Sequence, residues 1–139
     1  MSGLTPKETD AVAAAKAARA HAYAPYSGRH VGAAIITADN RIFSACNVEN
    51  KSDTLWVCAE RSAIATAVAH GHREFHTVVV AAPDGRFWPP CNKCRQVISE
   101  FAPDAEIIMC TDNGDVMRRK LTDLPSRPFE VGEELDVES

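Results

Sequence analysis

No stretch of this chain approaches the roughly 20 consecutive apolar residues that cross a bilayer, and its first ten residues, MSGLTPKETD, carry acids without an apolar run behind a basic start. A membrane partner and a secretory leader are therefore not expected, and the residence read from this is cytoplasmic. Basic charge is not in excess either: 15 Lys+Arg face 19 Asp+Glu, a formal net charge of -4. That argues against a broad phosphate-binding surface and against nucleic acid as a partner. Internal repeats, low-complexity tracts and linkers are missing as well. With 45% hydrophobic and 24% charged residues in 139, the composition is that of an ordinary globular chain. Its length suits one hydrophobic core rather than two, so a single domain over residues 1–139 with one site is expected. The cysteines number five, an odd set. In a reducing compartment they read as ligands, nucleophiles or core residues rather than disulfides.

The order of elements follows from periodicity and punctuation. Thr5-Pro6-Lys7-Glu8 has a capping Thr, a Pro in the first helical position and a Glu three after the cap, which predicts an Ala-rich helix running to about His21. Tyr23 to Gly28 reads as a loop bringing two tyrosines over something. Val31 to Thr37 and Arg41 to Val48 lean to β structure and are split by Ala38-Asp39-Asn40, a hairpin with Asn47 and Glu49 at its far end. Cys58 to His70 reads as a helix stopped by Gly71, and Thr77 to Ala82 as a buried strand without a solvent face. After a loop from Pro83 to Pro90, the spacing of Cys91, Cys94, Val97, Ile98 and Phe101 predicts a helix facing the core. Glu106 to Cys110 and Val116 to Lys120 complete the strands around an Asn113-Gly114 turn. The sum is an α/β fold, a three-layer α/β/α sandwich with a mixed five-stranded sheet.

Cys91 and Cys94, three apart, are neighbours on a helix face and can chelate one ion, or form a redox pair, or simply fill a core. Cys58 opens the preceding helix, where backbone N–H groups and the helix dipole favour a thiolate. Two helix N-termini meeting around one cation would join Cys58, Cys91 and Cys94 as ligands, and zinc suits thiolates best. Three protein ligands leave a position for water, the arrangement of catalytic rather than structural zinc. Cys46 and Cys110 lie in strand-like runs and read as small apolar residues. Glu60, two after Cys58, can share the site only if the site lies off the helix end. A carboxylate there can take a proton from water and return it to a leaving amine, because zinc brings the water pKa from about 16 toward about 7. Three thiolates leave the metal with excess negative charge, which Arg61 or Arg95 could offset; Arg61 is favoured.

Cys58-Ala59-Glu60 followed by Pro90-Cys91 and Cys94, with Asn47-Val48-Glu49-Asn50 upstream, resembles the cytidine deaminases, specifically the short zinc enzymes with three cysteine ligands. The resemblance extends from Ala22-Tyr23-Ala24-Pro25-Tyr26-Ser27 to Cys94-Arg95-Gln96. It implies one zinc per subunit, a homotetramer with sites near subunit contacts, and hydrolysis of cytidine or 2'-deoxycytidine to the uridine nucleoside plus ammonia in pyrimidine salvage. Glu60 is then the catalytic acid and base, protonating N3 and the amine as water adds at C4, and Asn47 and Glu49 bind the sugar hydroxyls. Two positions depart from the pattern. Arg29 stands where an aromatic residue is usual near the pyrimidine, and Asp53 where a tyrosine is common. A guanidinium can still stack but welcomes a more polar or anionic substrate. The blasticidin S deaminases are the alternative, resembled around His30-Val31-Gly32-Ala33-Ala34 and Ser99-Glu100-Phe101-Ala102-Pro103. A structural zinc-binding module is the alternative outside enzymes; it would have a closed metal shell and tolerate loss of Glu60.

Overall fold

A computed structural model describes residues 3–133. Helix α1 (Pro6–Ala18) begins at the predicted capping box, in which Thr5 Oγ1 accepts the Glu8 N–H at 3.1 Å and Glu8 Oε1 accepts the Thr5 N–H at 2.9 Å. It tightens into a 3₁₀ turn over Arg19–His21. Strands β1 (Gly32–Thr37) and β2 (Ile42–Cys46) form the hairpin, turned at Asn40 with a φ of 65°. Then follow α2 (Ala59–Ala69), β3 (Phe75–Ala81), α3 (Asn92–Phe101), β4 (Glu106–Cys110) and β5 (Val116–Lys120). The strand order is β2-β1-β3-β4-β5, with β3 and β4 parallel and every other pair antiparallel. Two connections cross over: α2 carries the chain from β2 past β1 to β3, and α3 joins the parallel neighbours β3 and β4.

Side chains alternate across the strands, so each strand feeds two cores. Ala33, Ile35, Val78, Val80, Ile107 and Met109 point to one face and pack with Ala63, Ile64 and Ala67 of α2 and Ile98 of α3. Ala34, Ile36, Val79, Ala81, Ile108 and Cys110 point to the other, where Ala11, Val12 and Ala15 of α1 cover them. The three layers expected from the sequence are thus present. All six residues of β1 are buried because both faces are covered. The alanine face of α1 lets the helix ride close to the sheet. A Cβ on Gly32 would fall 1.8 Å from the Ala15 carbonyl oxygen, so this contact needs glycine.

Boundaries shift for local reasons. β3 starts two residues earlier than Thr77, because Phe75 is anchored in the core against Phe101. β2 stops at Cys46 rather than Val48, where Asn47 turns its amide onto the loop that precedes β1 and Val48 pairs instead with Tyr23 and Val57. Cys91 does not share the buried stripe of α3 as the spacing predicts. It is the exposed N-cap residue, and the stripe begins at Cys94. Phe129 is buried in its own chain, its ring 5.4 Å from that of Phe87 and its backbone paired with Phe87 in both directions. Among the described residues no helix is long and apolar enough to cross a membrane.

Candidate metal centre and substrate cavity

Cys58 and Cys91 occupy equivalent positions, each the extended N-cap residue of its helix, with ψ of 155° and 170°. Neither side chain caps its own helix. α2 and α3 lie on the same face of the sheet, so their N-termini converge and the two sulfurs stand 3.7 Å apart. Cys94, one turn into α3, brings its sulfur within 3.5 Å of Cys91. The three sulfurs lie within 4.8 Å of one another and form the one such ligand cluster among the described residues. Tetrahedral zinc with bonds of about 2.3 Å holds sulfurs about 3.8 Å apart, so these residues fit the ion.

The charge around the sulfurs points the same way. Cys58 is drawn down to about 5 by the thiol of Cys94 above all, with Arg61 and Cys91 assisting against the effect of burial. Cys94 is pushed up by that same hydrogen bond and by burial. A metal ion held here would displace the thiol protons. Arg61 donates from Nη2 to the Trp56 carbonyl at 3.0 Å and reaches Cys58 Sγ at 3.7 Å, while its Nε is buried without a partner. No carboxylate among the described residues pairs with this guanidinium. Its charge is directed at the thiolate cluster, which is where excess negative charge would accumulate on metal binding. Arg95 is employed elsewhere, donating to the carbonyls of Pro90, Leu124 and Pro125.

Beside the sulfurs opens a cavity of about 190 Å³ whose wall includes Cys58, Cys91, Glu60, Asn47 and Glu49. Glu60 sits in the first turn of α2, only 5% exposed, with its carboxyl pushed up to about 7 by burial and then by the negative charge of Cys58. Asn47 and Glu49, expected near a substrate, line the cavity and also fasten its rim. Asn47 Nδ2 donates to the Arg29 carbonyl at 2.8 Å and its Oδ1 accepts the Val31 N–H at 2.9 Å. Glu49 Oε1 accepts the N–H groups of Tyr26 at 3.0 Å and Ser27 at 3.1 Å, and Oε2 accepts the Ser27 hydroxyl. These bonds outweigh burial and hold the Glu49 carboxyl below the ordinary range. Asp53 lies in an exposed 3₁₀ turn and is not part of the cavity wall.

Sequence reasoning passed over two tryptophans. Trp56, which packs on Tyr26 with ring centroids 6.5 Å apart, and Trp88 both line the cavity. Each stands two or three residues before a cysteine N-cap, and that shared placement was the available signal. Trp88 carries Arg29 on its face, with the guanidinium carbon 3.7 Å from the ring centroid.

Comparison with known proteins agrees with this geometry. The model of the cytidine and deoxycytidylate deaminase zinc-binding region matches residues 6–111. A cytidine deaminase of Sporosarcina psychrophila is 41% identical over 106 residues, 76% of this chain and 78% of the relative. A blasticidin-S deaminase of Bacillus cereus is 37% identical over 103 residues, 68% of this chain and 73% of its own. The crystal structure of cytidine deaminase from Burkholderia pseudomallei is similar at a TM-score of 0.80 and 42% identity, covering 89% of this chain and 99% of that one.

Proposed function

Since the chain belongs to the cytidine and deoxycytidylate deaminase family, we propose that it catalyses zinc-dependent hydrolytic deamination of cytidine and 2'-deoxycytidine, releasing ammonia. The observation that carries this reading is a trio of sulfurs at zinc spacing beside a buried carboxylate, both opening on one small cavity. Zinc held by Cys58, Cys91 and Cys94 supplies Lewis acidity that makes water a nucleophile at neutral pH. The remaining steps belong to the chain. Glu60 accepts a proton from the attacking water and delivers it to N3 of the pyrimidine as oxygen adds at C4. It then carries the second proton of that water to the departing amine, so that C4 ends as a carbonyl, N3 bears hydrogen and nitrogen leaves as ammonia. Val31, Val57 and the two tryptophans give the cavity an apolar wall.

Asn47 and Glu49 bind the sugar hydroxyls in this reading. Each retains capacity beyond its rim bonds: Asn47 has a second amide N–H, and each carboxylate oxygen of Glu49 has a further lone pair. Arg61 offsets the charge of the thiolates. The chain works as one domain and as a homotetramer, an assembly supported by exposed Tyr23, Tyr26, Val48, Leu55 and Val57, apolar residues around the cavity-side loops. A cytoplasmic role in pyrimidine salvage, on free nucleosides rather than nucleic acid, fits the formal charge of -4. One observation favours a second reading, deamination of blasticidin S: a cation, Arg29, stands in the cavity wall, and a blasticidin-S deaminase is among the relatives.

The test is ammonia release from the zinc-loaded protein given cytidine, 2'-deoxycytidine and blasticidin S in parallel. Turnover of the two simple nucleosides is the expected result. Activity on blasticidin S alone would transfer the assignment to the second reading, and activity on none would refute both.

A further inference from the structure

Arg29 is the one residue with a basic side chain among those lining the cavity, and its position invites a partner. Its guanidinium carbon stands over the Trp88 ring, 3.7 Å from the centroid, a cation–π contact that uses the ring face and leaves the N–H donors available for an anion. Among the described residues the polar contact of that edge is a loose ion pair, Nη1 to Asp84 Oδ2 at 3.7 Å, with both side chains about one-third exposed. Such a pair holds weakly.

Asp84 does not depend on it. Asp84 Oδ1 accepts the Trp88 indole N–H at 2.8 Å and the Arg86 backbone N–H at 3.0 Å, and Oδ2 has the Arg86 guanidinium at 3.6 Å. Despite partial burial, these donors and the two arginine charges keep its carboxyl below the ordinary range. Asp84 therefore remains satisfied, and Trp88 remains anchored, when Arg29 takes another anion. The backbone of Arg29 is in turn tied to the residues assigned to the sugar: its carbonyl accepts Asn47 Nδ2 at 2.8 Å, and its N–H donates at 3.0 Å to Ser27 Oγ, which itself bonds Glu49. The same cavity already holds two carboxyl groups, Glu49 and Glu60, so an anionic ligand needs a cation in the wall, whereas a neutral nucleoside does not.

We propose that Arg29 is a specificity-determining residue that recognises an anionic oxygen group, carboxylate or phosphate, on the sugar of an aminopyrimidine nucleoside, exchanging Asp84 for the substrate. This rests on the reading of the cavity as a nucleoside deaminase site. A guanidinium edge matches both oxygen groups in a two-point geometry, and Trp88 holds it ready for them.

The experiment compares kcat/KM for cytidine, cytidine 5'-monophosphate and the 5'-carboxylate of cytidine in zinc-loaded wild type, Arg29→Lys and Arg29→Gln. The wild type should favour at least one anionic substrate over cytidine by roughly ten- to a hundredfold. That ratio should shrink with added salt, fall to about one in Arg29→Gln and persist in part in Arg29→Lys. Whether the carboxylate or the phosphate shows the larger ratio identifies the group. A wild-type ratio at or below one, or a ratio that Arg29→Gln leaves unchanged, would overturn the proposal while leaving the deaminase reading intact. Absence of ammonia from all three substrates would overturn both.

Discussion

At the scale of single residues, replacement of Glu60 separates metal binding from chemistry. Its carboxyl is buried in the cavity wall and belongs to no ligand cluster, so Glu60→Gln should retain zinc and lose turnover on the order of 10²–10⁴-fold. Zinc content by atomic absorption beside kcat for the variant checks this, and full residual activity would remove Glu60 from its role. Arg61→Gln withdraws the guanidinium from Cys58 Sγ and should weaken zinc retention by roughly 10–100-fold, read from competition with a chelator. The residues that the structure gathers at the sulfur cluster were legible in the sequence because they are confined to two short segments, Cys58 to Arg61 and Cys91 to Cys94. There a helix start fixes what lies beside what. Trp56 and Trp88 were not legible. They sit in irregular segments whose direction is set by tertiary contacts, such as those of Arg29 with Trp88 and of Tyr26 with Trp56. The double duty of Asn47 and Glu49 escaped notice for a similar reason, since their partners lie 16 to 23 residues away.

At the scale of elements, α1 is seated by two devices with separable consequences. Its close approach to β1 depends on Gly32. In Gly32→Ala the new Cβ would collide with the Ala15 carbonyl, a backbone atom that moves only with the helix, and a loss of about 1–3 kcal/mol or more is expected from urea denaturation. Its N-terminal end is held by Glu8, whose oxygens meet the Arg118 guanidinium at 2.7 Å. That hydrogen bond, ahead of those from Thr5, holds the Glu8 carboxyl down at about 2, from an ordinary 4.5. A carboxyl depressed in the folded state binds its proton first in the unfolded chain. Its contribution is therefore complete above about pH 4.5 and declines as the pH falls toward 2. The stability difference between wild type and Glu8→Gln should accordingly narrow from pH 6 to pH 3; a difference that stays constant would mean that Glu8 acts by packing alone. Element types and order followed from capping, periodicity and turn residues. The ends of β2 and β3 did not, because Asn47 and Phe75 are recruited by partners outside their strands.

At the scale of the whole molecule, two cores lie on either side of one sheet, neither of them includes Cys58, Cys91 or Cys94, and these three sulfurs bring two helix starts together on one of those faces. Chelation should therefore lower the melting temperature and abolish activity while leaving the far-ultraviolet helix and strand signal in place, since an ion that binds only the folded form stabilises it by mass action. Collapse of that signal would show that the centre is part of the folding nucleus. The α/β/α layering was readable in advance because continuous apolar strands demand cover on both faces. The return of the tail was not readable, because burial of Phe129 against Phe87 depends on a contact 42 residues distant in the chain.

The account turns on a metal shell that is open: three cysteine sulfurs and a position left for water, rather than the four-ligand closure of a structural site. X-ray absorption at the zinc edge of the loaded protein measures this directly. Three sulfurs at about 2.3 Å with one oxygen at about 2.0–2.2 Å is the predicted shell; four sulfurs, with Cys46 or Cys110 drawn in, would contradict it and make the centre a structural clasp.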